Sequence, residues 1–395
     1  MKTVQDVIDN DLCLGCGLCE AIVGQEKCEM LINDKGFYRP NFKSSINREE
    51  NRLILESCPG IHIEGNGHKG IWGDVLNITE SWATDAILRK KSATGGVVSA
   101  LAIYLLESKK VDAILQVGVK EGDWLHNQLL ISRNKDEVFL NAQSRYAPAL
   151  IFDKIIDILN SGTEVFGFIG KPCDIAGIKN FIALYPEYKN RVKYTIAIFC
   201  AGIPSYNATE TLVGSAENNE NPIRLKYRGD GWPGEFVASW EDGTTYKASY
   251  NDSWGKVLGR TLGLRCKICP DGIGLLADIS TGDSWNTKDG YPDFTEADGR
   301  NFCFIRTAEG NELYNGAVSS GYISSRKMEA DNIKNIHRYQ YNRRIFSGWR
   351  ILAMQILTKK LIRYNGVGLS NIIFKTNPLR GIKEFAGTLK RHVIK

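Results

Sequence analysis

Cys13, Cys16 and Cys19 stand at C-x2-C-x2-C spacing in Asp11-Leu-Cys-Leu-Gly-Cys-Gly-Leu-Cys19, and Cys58-Pro59 follows well downstream. These residues constrain the chain more than any others. Three thiolates from one tight loop and a fourth from a remote Cys-Pro match the way bacterial-type 4Fe-4S sites are assembled. Gly15 and Gly17 give such a loop room to wrap a cube and to aim N–H groups at its sulfides. Zinc is the rival ligand. Structural zinc sites, however, usually pair two C-x2-4-C units rather than run three cysteines in series.

The remaining cysteines extend the pattern. Cys266 and Cys269 form a C-x2-C in Arg265-Cys-Lys-Ile-Cys-Pro270, Cys173 follows a Gly-Lys-Pro turn, and Cys200 ends the apolar run from Thr195. Two single cysteines at strand ends and one C-x2-C supply four ligands, enough for a second cluster. The same residues read equally well as small buried side chains, and spacing alone does not choose. Cys28 and Cys303 take the buried reading.

Composition fits a folded protein: 43% of residues are hydrophobic and 24% charged, which argues against general disorder. A chain of 395 residues predicts two or three domains. Met1-Lys-Thr-Val-Gln-Asp-Val is not followed by an apolar stretch, so no signal peptide is expected. No apolar run approaches the ~20 residues of a membrane span. A cytoplasmic location follows as the expectation, and with it ligand or redox use of the cysteines rather than disulfides. The N-x-S/T triplets at Asn77, Asn207 and Asn251 are then incidental.

Four segments are expected. Residues 1–65 read as a small ferredoxin-type module, too short to be stabilised by burial alone. Residues 65–70 match G-x-G-x-x-G, but no strand precedes and no helix follows, so they read as a linker. Residues 66–165 and 166–325 alternate strand and helix patterns. Helices are predicted from Gly95 to Lys109, with Thr94 as cap, from Ala147 to Leu159 and from Asp174 to Leu184. Strands are predicted over 111–118, 163–170 and 194–200. Residues 222–250 read as an antiparallel meander. The fold class is therefore α/β (α+β): a 4Fe-4S module, a mixed-sheet core and a basic helical tail over 326–395.

The tail is electrostatically distinct. Residues 331–395 carry a net +12 and the remainder a net −7. Arg338, Arg343, Arg344, Arg350, Lys359, Lys360 and Arg363 interleave with apolar residues, as on a basic amphipathic helix. Packing on the body is the plainer reading. An anionic membrane surface, which would make the protein peripheral at the inner membrane face, an acidic partner or a homo-oligomer interface are the others. No nucleic-acid motif is present.

Lys91-Ser-Ala-Thr-Gly-Gly-Val-Val-Ser99 sets hydroxyls and two glycines at a helix start, which reads as a phosphate cradle or, at least as well, as an ordinary capped turn. Together with Gln143-Ser-Arg-Tyr146, Gly170-Lys-Pro-Cys-Asp-Ile-Ala-Gly177, Phe199-Cys-Ala-Gly-Ile-Pro204, Gly231-Trp-Pro-Gly234 and Arg265-Cys-x-x-Cys-Pro-Asp271 leading to Ala277-Asp-Ile-Ser-Thr-Gly-Asp-Ser-Trp285, it resembles the coenzyme F420 hydrogenase/dehydrogenase beta-subunit family. That family is related to 7-hydroxymethyl chlorophyll a reductase, and some bacterial members carry a ferredoxin module in front. The resemblance covers roughly residues 1–310. It implies FAD, less readily FMN, and two 4Fe-4S clusters, the inner one on Cys173, Cys200, Cys266 and Cys269. It makes Ser92, Thr94, Gly95, Gly96, Ser144, Arg145, Tyr146 and Lys171 flavin contacts. Lys171 departs from the Thr frequent in the family, and only one C-x2-C-x2-C is present, so one cluster is expected in the N-terminal module.

The implied chemistry is an oxidoreductase relay between a ferredoxin-like donor, the clusters and the flavin, with hydride transfer to or from a small-molecule substrate or an F420-like deazaflavin. The alternatives are an electron-transfer subunit of a larger hydrogenase or dehydrogenase and, in another class, a zinc-stabilised binding protein. Lys171, Arg145 and Arg265 are candidates for stabilising negative charge on a reduced cofactor, or for ordinary ion pairs. Asp278 and Asp283 are candidates for proton delivery, although turn and cap hydrogen bonding is favoured for both.

Overall fold

The computed structural model describes residues 2–216 and 218–393. A nine-stranded mixed sheet runs in the order Ile323–Lys327, Asn77–Ala83, Asn301–Ile305, Ile279–Asp283, Val192–Ile198, Phe166–Gly170, Ala113–Val119, Asn127–Ser132 and Ala149–Leu150. The four strands from Ile279–Asp283 to Ala113–Val119 are parallel to one another. Their antiparallel neighbours continue the sheet on both sides. Parallel strands covered on both faces need apolar residues throughout, and Phe166–Gly170 is buried at every position.

Side chains alternate between two cores. Ile114, Ile169, Tyr194 and Ile196 pack on one face with the apolar helix Val97–Glu107 and with Leu313 and Tyr314 of the helix Ala308–Ser319. Leu115, Phe166, Phe168 and Ala197 pack on the other with Ile175, Ile178 and Phe181 of the helix Pro172–Leu184. Val7, Leu12, Leu18, Ile61 and Ile63 join this second core, as do Ile351 and Met354 from the tail. The first 65 residues thus share apolar contacts with the sheet. His62–Glu64 also pairs in parallel with Arg363–Asn365.

Several expectations need correction. The helix predicted from Ala147 to Leu159 is a short edge strand at Ala149–Leu150 followed by a helix only over Ile155–Asn160. The N–H groups of Ile151 and Phe152 bond to the Cys16 carbonyl at 3.1 and 2.9 Å, so they cannot close helical turns. Thr94 does not cap the next helix, whose N-cap is Gly96 in the left-handed region. The meander is present as Arg224–Lys226, Phe236–Ser239 and Thr245–Ala248.

The tail forms a helix over Arg338–Leu357, but its basic residues do not make one solvated face. Arg343 and Arg344 are buried. Lys359 and Lys360 lie past the helix end with positive φ. The helix Pro378–Val393 folds back on it, with Arg350 paired to Glu384 at 2.9 Å and Gly381 against Trp349. Among the described residues, no helix is long and apolar enough to cross a membrane.

Candidate cofactor-binding site

Cys13 and Cys16 lie on the loop that enters the helix Leu18–Val23, Cys19 is in its first turn, and Cys58 follows the helix Arg48–Ser57. Gly15 and Gly17 both have positive φ, and a side chain on either would strike protein backbone: Tyr38 O at 2.6 Å and Asp153 N at 2.6 Å, respectively. The glycines therefore serve the loop's fit against its own protein, a use the sequence did not reveal. The loop's N–H groups still reach sulfur. Gly15 N lies 3.4 Å from Cys13 Sγ, Leu18 N–H faces Cys16, and Gly60 and Ile61 N–H face Cys58.

These four thiols face one another. Burial raises Cys16, and the Cys58 and Cys13 charges add to it. Burial raises Cys19 well above its ordinary value, helped by Cys13, Cys58 and Cys16. Cys58 is pushed up to about 11 by burial and then by Cys13, against its two N–H donors and Arg265. On their own, buried thiols grouped this way stay protonated; a cationic metal bound among them would favour the thiolates, and four such donors fit an iron–sulfur cluster.

The second set stands differently. Cys173 and Cys200 follow the C-terminal ends of the parallel strands Phe166–Gly170 and Val192–Ile198, while Cys266 lies on the helix Leu264–Lys267 and Cys269 follows it. Burial raises Cys173, with Cys200 and Cys269 among its neighbouring charges. Cys200 is pushed up to about 12 by burial, against Arg343 and Lys171, with Cys266 and Cys269 opposing ionisation. Burial also works against ionised Cys269, but Arg343 and Arg265 together hold it below its ordinary value. This ring comes supplied with cations. Among the described residues, no three His, Cys, Asp or Glu side chains gather closely enough for a single metal ion. A four-iron cube does not ask for that spacing, since its thiolates attach at separate corners. Cys28 and Cys303 are fully buried within strands.

Arg265 stands between the two sets. Its Nε donates to Gly60 O at 2.7 Å and its guanidinium to Pro59 O at 2.8 Å, the carbonyls just after Cys58. The next residue along the chain from Arg265 is Cys266. Tyr364 lies under the guanidinium at 5.0 Å and donates its hydroxyl to Gly60 O.

A cavity of about 520 Å³ opens at the carboxyl ends of the parallel strands, where open α/β sheets bind ligands. Ser92, Thr94, Gly96, Ser144, Arg145, Tyr146 and Lys171 line it, and so does Cys200. Gly95 does not; its Cβ position faces Arg300 Cα and Asn301 N at 2.8 Å, so it marks a close backbone approach. Val98 and Ser99, in the first turn of the Val97–Glu107 helix, line the cavity as well. Among the described residues, the Ser92 hydroxyl and Gln143 Nε2 are buried there without hydrogen-bond partners. Orphaned polar atoms beside a helix N-terminus fit a phosphate-bearing cofactor.

The expected cations are not free. Arg145 is spent on Asn127 Oδ1 at 2.6 Å and Leu225 O at 3.1 Å. Lys171 pairs with buried Asp174 at 2.7 Å. Burial opposes the Lys171 charge, but Asp174 and the Cys173 and Cys200 thiolates raise its pKa overall. Asp278 lies outside the cavity and accepts from Thr195 N and Oγ1 at 2.7 Å each, a structural role.

The far wall sets Asp283, a candidate for proton delivery in the sequence, among partners the sequence did not reveal. Arg228, 1% exposed, meets Asp283 through paired contacts of 3.1 and 3.0 Å. Trp232 Nε1 donates to Asp283 Oδ1 at 2.7 Å. The Arg228 guanidinium lies 5.0 and 5.1 Å from the Tyr250 and Trp285 rings, and His337 Nε2 contacts Asp283 O at 2.6 Å. With Trp254 and Phe294 these residues give the cavity an aromatic side suited to a planar ring. Arg228 and His337 reach Asp283 only through the fold, so no local pattern could place them beside it.

The N-terminal and C-terminal family models of the coenzyme F420 hydrogenase/dehydrogenase beta subunit match residues 78–155 and 163–331, more than half of the chain. The chain belongs to this family. It is similar to the coenzyme F420 hydrogenase subunit beta of Methanosarcina barkeri, 24% identical over 65% of this chain and 84% of the relative. It is also similar to the coenzyme F420-dependent sulfite reductase of Methanocaldococcus jannaschii, 23% identical over 82% of this chain and 49% of that protein. Its fold resembles a chain of the F420-reducing NiFe hydrogenase complex of Methanosarcina barkeri, with a TM-score of 0.56 and 20% identity over 77% of this chain and 99% of that one. The mixed-sheet α/β architecture is that fold.

Proposed function

We propose that this protein is an electron-transfer subunit of the beta type, working with a hydrogenase- or dehydrogenase-like partner or a ferredoxin-type donor. In this reading Cys13, Cys16, Cys19 and Cys58 hold one 4Fe-4S cluster, and Cys173, Cys200, Cys266 and Cys269 hold another. The cavity takes FAD, with its aromatic side left for a small-molecule substrate such as a deazaflavin. One observation carries the proposal: Cys200 lines the same cavity as the Ser92–Ser99 cradle, while Arg265 ties the other thiol set to the inner one. The relatives supply independent support, since the hydrogenase and sulfite reductase matches are both named for F420-linked redox work. Family membership favours this reading over the zinc-stabilised binding protein.

Bound clusters would supply single-electron transfer and bound flavin one- or two-electron transfer. The protein's own residues do the rest. The buried thiols orient the clusters, the Val97–Glu107 helix start and Ser92 receive phosphate, and the Trp285 side of the cavity excludes water. Arg228 and Trp232 hold Asp283 in place through three hydrogen bonds, so that its carboxylate is a fixed acceptor in the cavity wall.

Ser99→Glu tests the cradle. A carboxylate in the first helical turn suits the helix, so the fold should persist, but it would repel a phosphate. Flavin occupancy should fall about tenfold or more, the effect of 1.4 kcal/mol of repulsion, with iron content unchanged. Fluorescence of flavin released by acid, set against iron per chain, reads both. Full flavin retention would move the cofactor elsewhere.

A further inference from the structure

We infer that Arg343, supplied by the C-terminal segment beyond the family-matched residues, is a hydrogen-bonding and electrostatic contact of the inner cluster that raises its reduction potential. The inference rests on the reading that Cys173, Cys200, Cys266 and Cys269 hold a cluster.

Arg343 lies on the Arg338–Leu357 helix and is 4% exposed. One terminal nitrogen donates to Cys200 O at 2.7 Å and the other to Cys266 O at 3.0 Å. One turn earlier, Gln340 Nε2 also donates to Cys200 O, at 2.9 Å. Gly272 makes this approach possible, because a Cβ there would sit 2.4 Å from Gln340 Oε1 and 3.0 Å from the Arg343 guanidinium. The helix is thus clamped onto the backbone of two cysteines from separate strands and loops.

Two features remain unexplained by that clamp. Arg343 Nε is buried with no hydrogen-bond partner among the described residues. A buried N–H without an acceptor is destabilising, so its persistence asks for a partner. The charge is also not paired with a carboxylate among the described residues. The charges that face it are the thiolates of Cys269, Cys200 and Cys266, with the Tyr339 phenol. Two carbonyls satisfy donors but do not neutralise a buried guanidinium. A cluster held by those cysteines would provide both missing elements: sulfur acceptors for Nε and a net negative charge that grows on reduction. A fixed cation beside it favours the reduced state, and hydrogen bonds to sulfur act in the same direction. At the outer thiol set the arginines whose charges lower the thiols are Arg39 at Cys13 and Arg265 at Cys58.

The test uses the full chain loaded anaerobically with iron and sulfide, titrated with dithionite and mediators while the reduced clusters are followed by electron paramagnetic resonance. Arg343→Gln should shift the reduction equilibrium of one cluster at least tenfold toward the oxidised state, which is 59 mV for one electron. The other cluster should stay fixed and serve as the internal reference. Arg343→Lys keeps the charge and should recover most of the shift. Wild-type protein with guanidino-15N arginine should show stronger nitrogen coupling at the inner cluster than Arg343→Lys, in which only Arg265 beside Cys269 still contributes, a readout that remains if Arg343→Gln fails to fold. Unmoved potentials in Arg343→Gln with iron content at the wild-type level would overturn this inference alone. Iron content at the wild-type level in Cys173→Ala would overturn the inner-cluster reading together with it.

Discussion

Cys16→Ala should cost the protein about four iron atoms, the content of one cube. The effect is large because the other three thiols cannot replace the missing corner: Cys16 is fixed in place by two backbone bonds to its carbonyl, from Ile151 and Phe152. Those same bonds belong to the main chain and survive the substitution, so the fold should hold while the cluster is lost. Cys28→Ala should leave iron unaltered, since Cys28 is a buried strand residue. Iron and sulfide analysis of the two variants decides the matter, and unchanged iron in Cys16→Ala would sink the outer assignment. Deleting residues 1–65 is a poorer test, because Leu12, Leu18, Ile61 and Ile63 belong to the core beneath the sheet.

Arg228→Met should be the most damaging substitution in the cavity wall. It strands the Asp283 carboxylate after removing both guanidinium contacts, and breaking a buried pair from one side costs about 3–5 kcal/mol. The loss should appear as a lower urea midpoint, with weaker flavin retention because Tyr250 and Trp285 lose the cation that holds them together. Asp283→Asn, which keeps an acceptor for Trp232 Nε1, should be milder. An unchanged midpoint in Arg228→Met would show that the pair is dispensable to the fold.

The sequence was most legible where chemistry is local. The C-x2-C-x2-C loop, the remote Cys-Pro and the Arg-Cys-x-x-Cys block pointed to two thiol sets, and thiols within each set feel one another's charge. Strand and helix alternation predicted the parallel core, because buried strands of Val, Ile and Phe and an apolar helix carry their own periodicity. The Ala147–Leu159 segment misled because its N–H groups are claimed by Cys16, 131 residues or more away in the chain. The tail misled for a related reason. Arg343 and Arg344 look like surface charge in a basic helix, yet Arg343 is spent on the carbonyls of Cys200 and Cys266, and Arg344 on those of Ile71, Pro270 and Val367. Only tertiary structure decides whether an arginine on an amphipathic helix faces water or a ring of carbonyls. The same holds for Arg265, visible beforehand as a possible charge stabiliser but not as the link between two cysteine loops.

The central claim is that one chain carries two clusters and a flavin in contact through Cys200. Anaerobic isolation of the full-length protein, followed by iron, acid-labile sulfide and flavin determination, tests it directly. The account predicts about eight iron, eight sulfide and one flavin per chain, with visible absorbance from both cofactor types. A colourless protein, or one whose only bound metal is zinc, would contradict it.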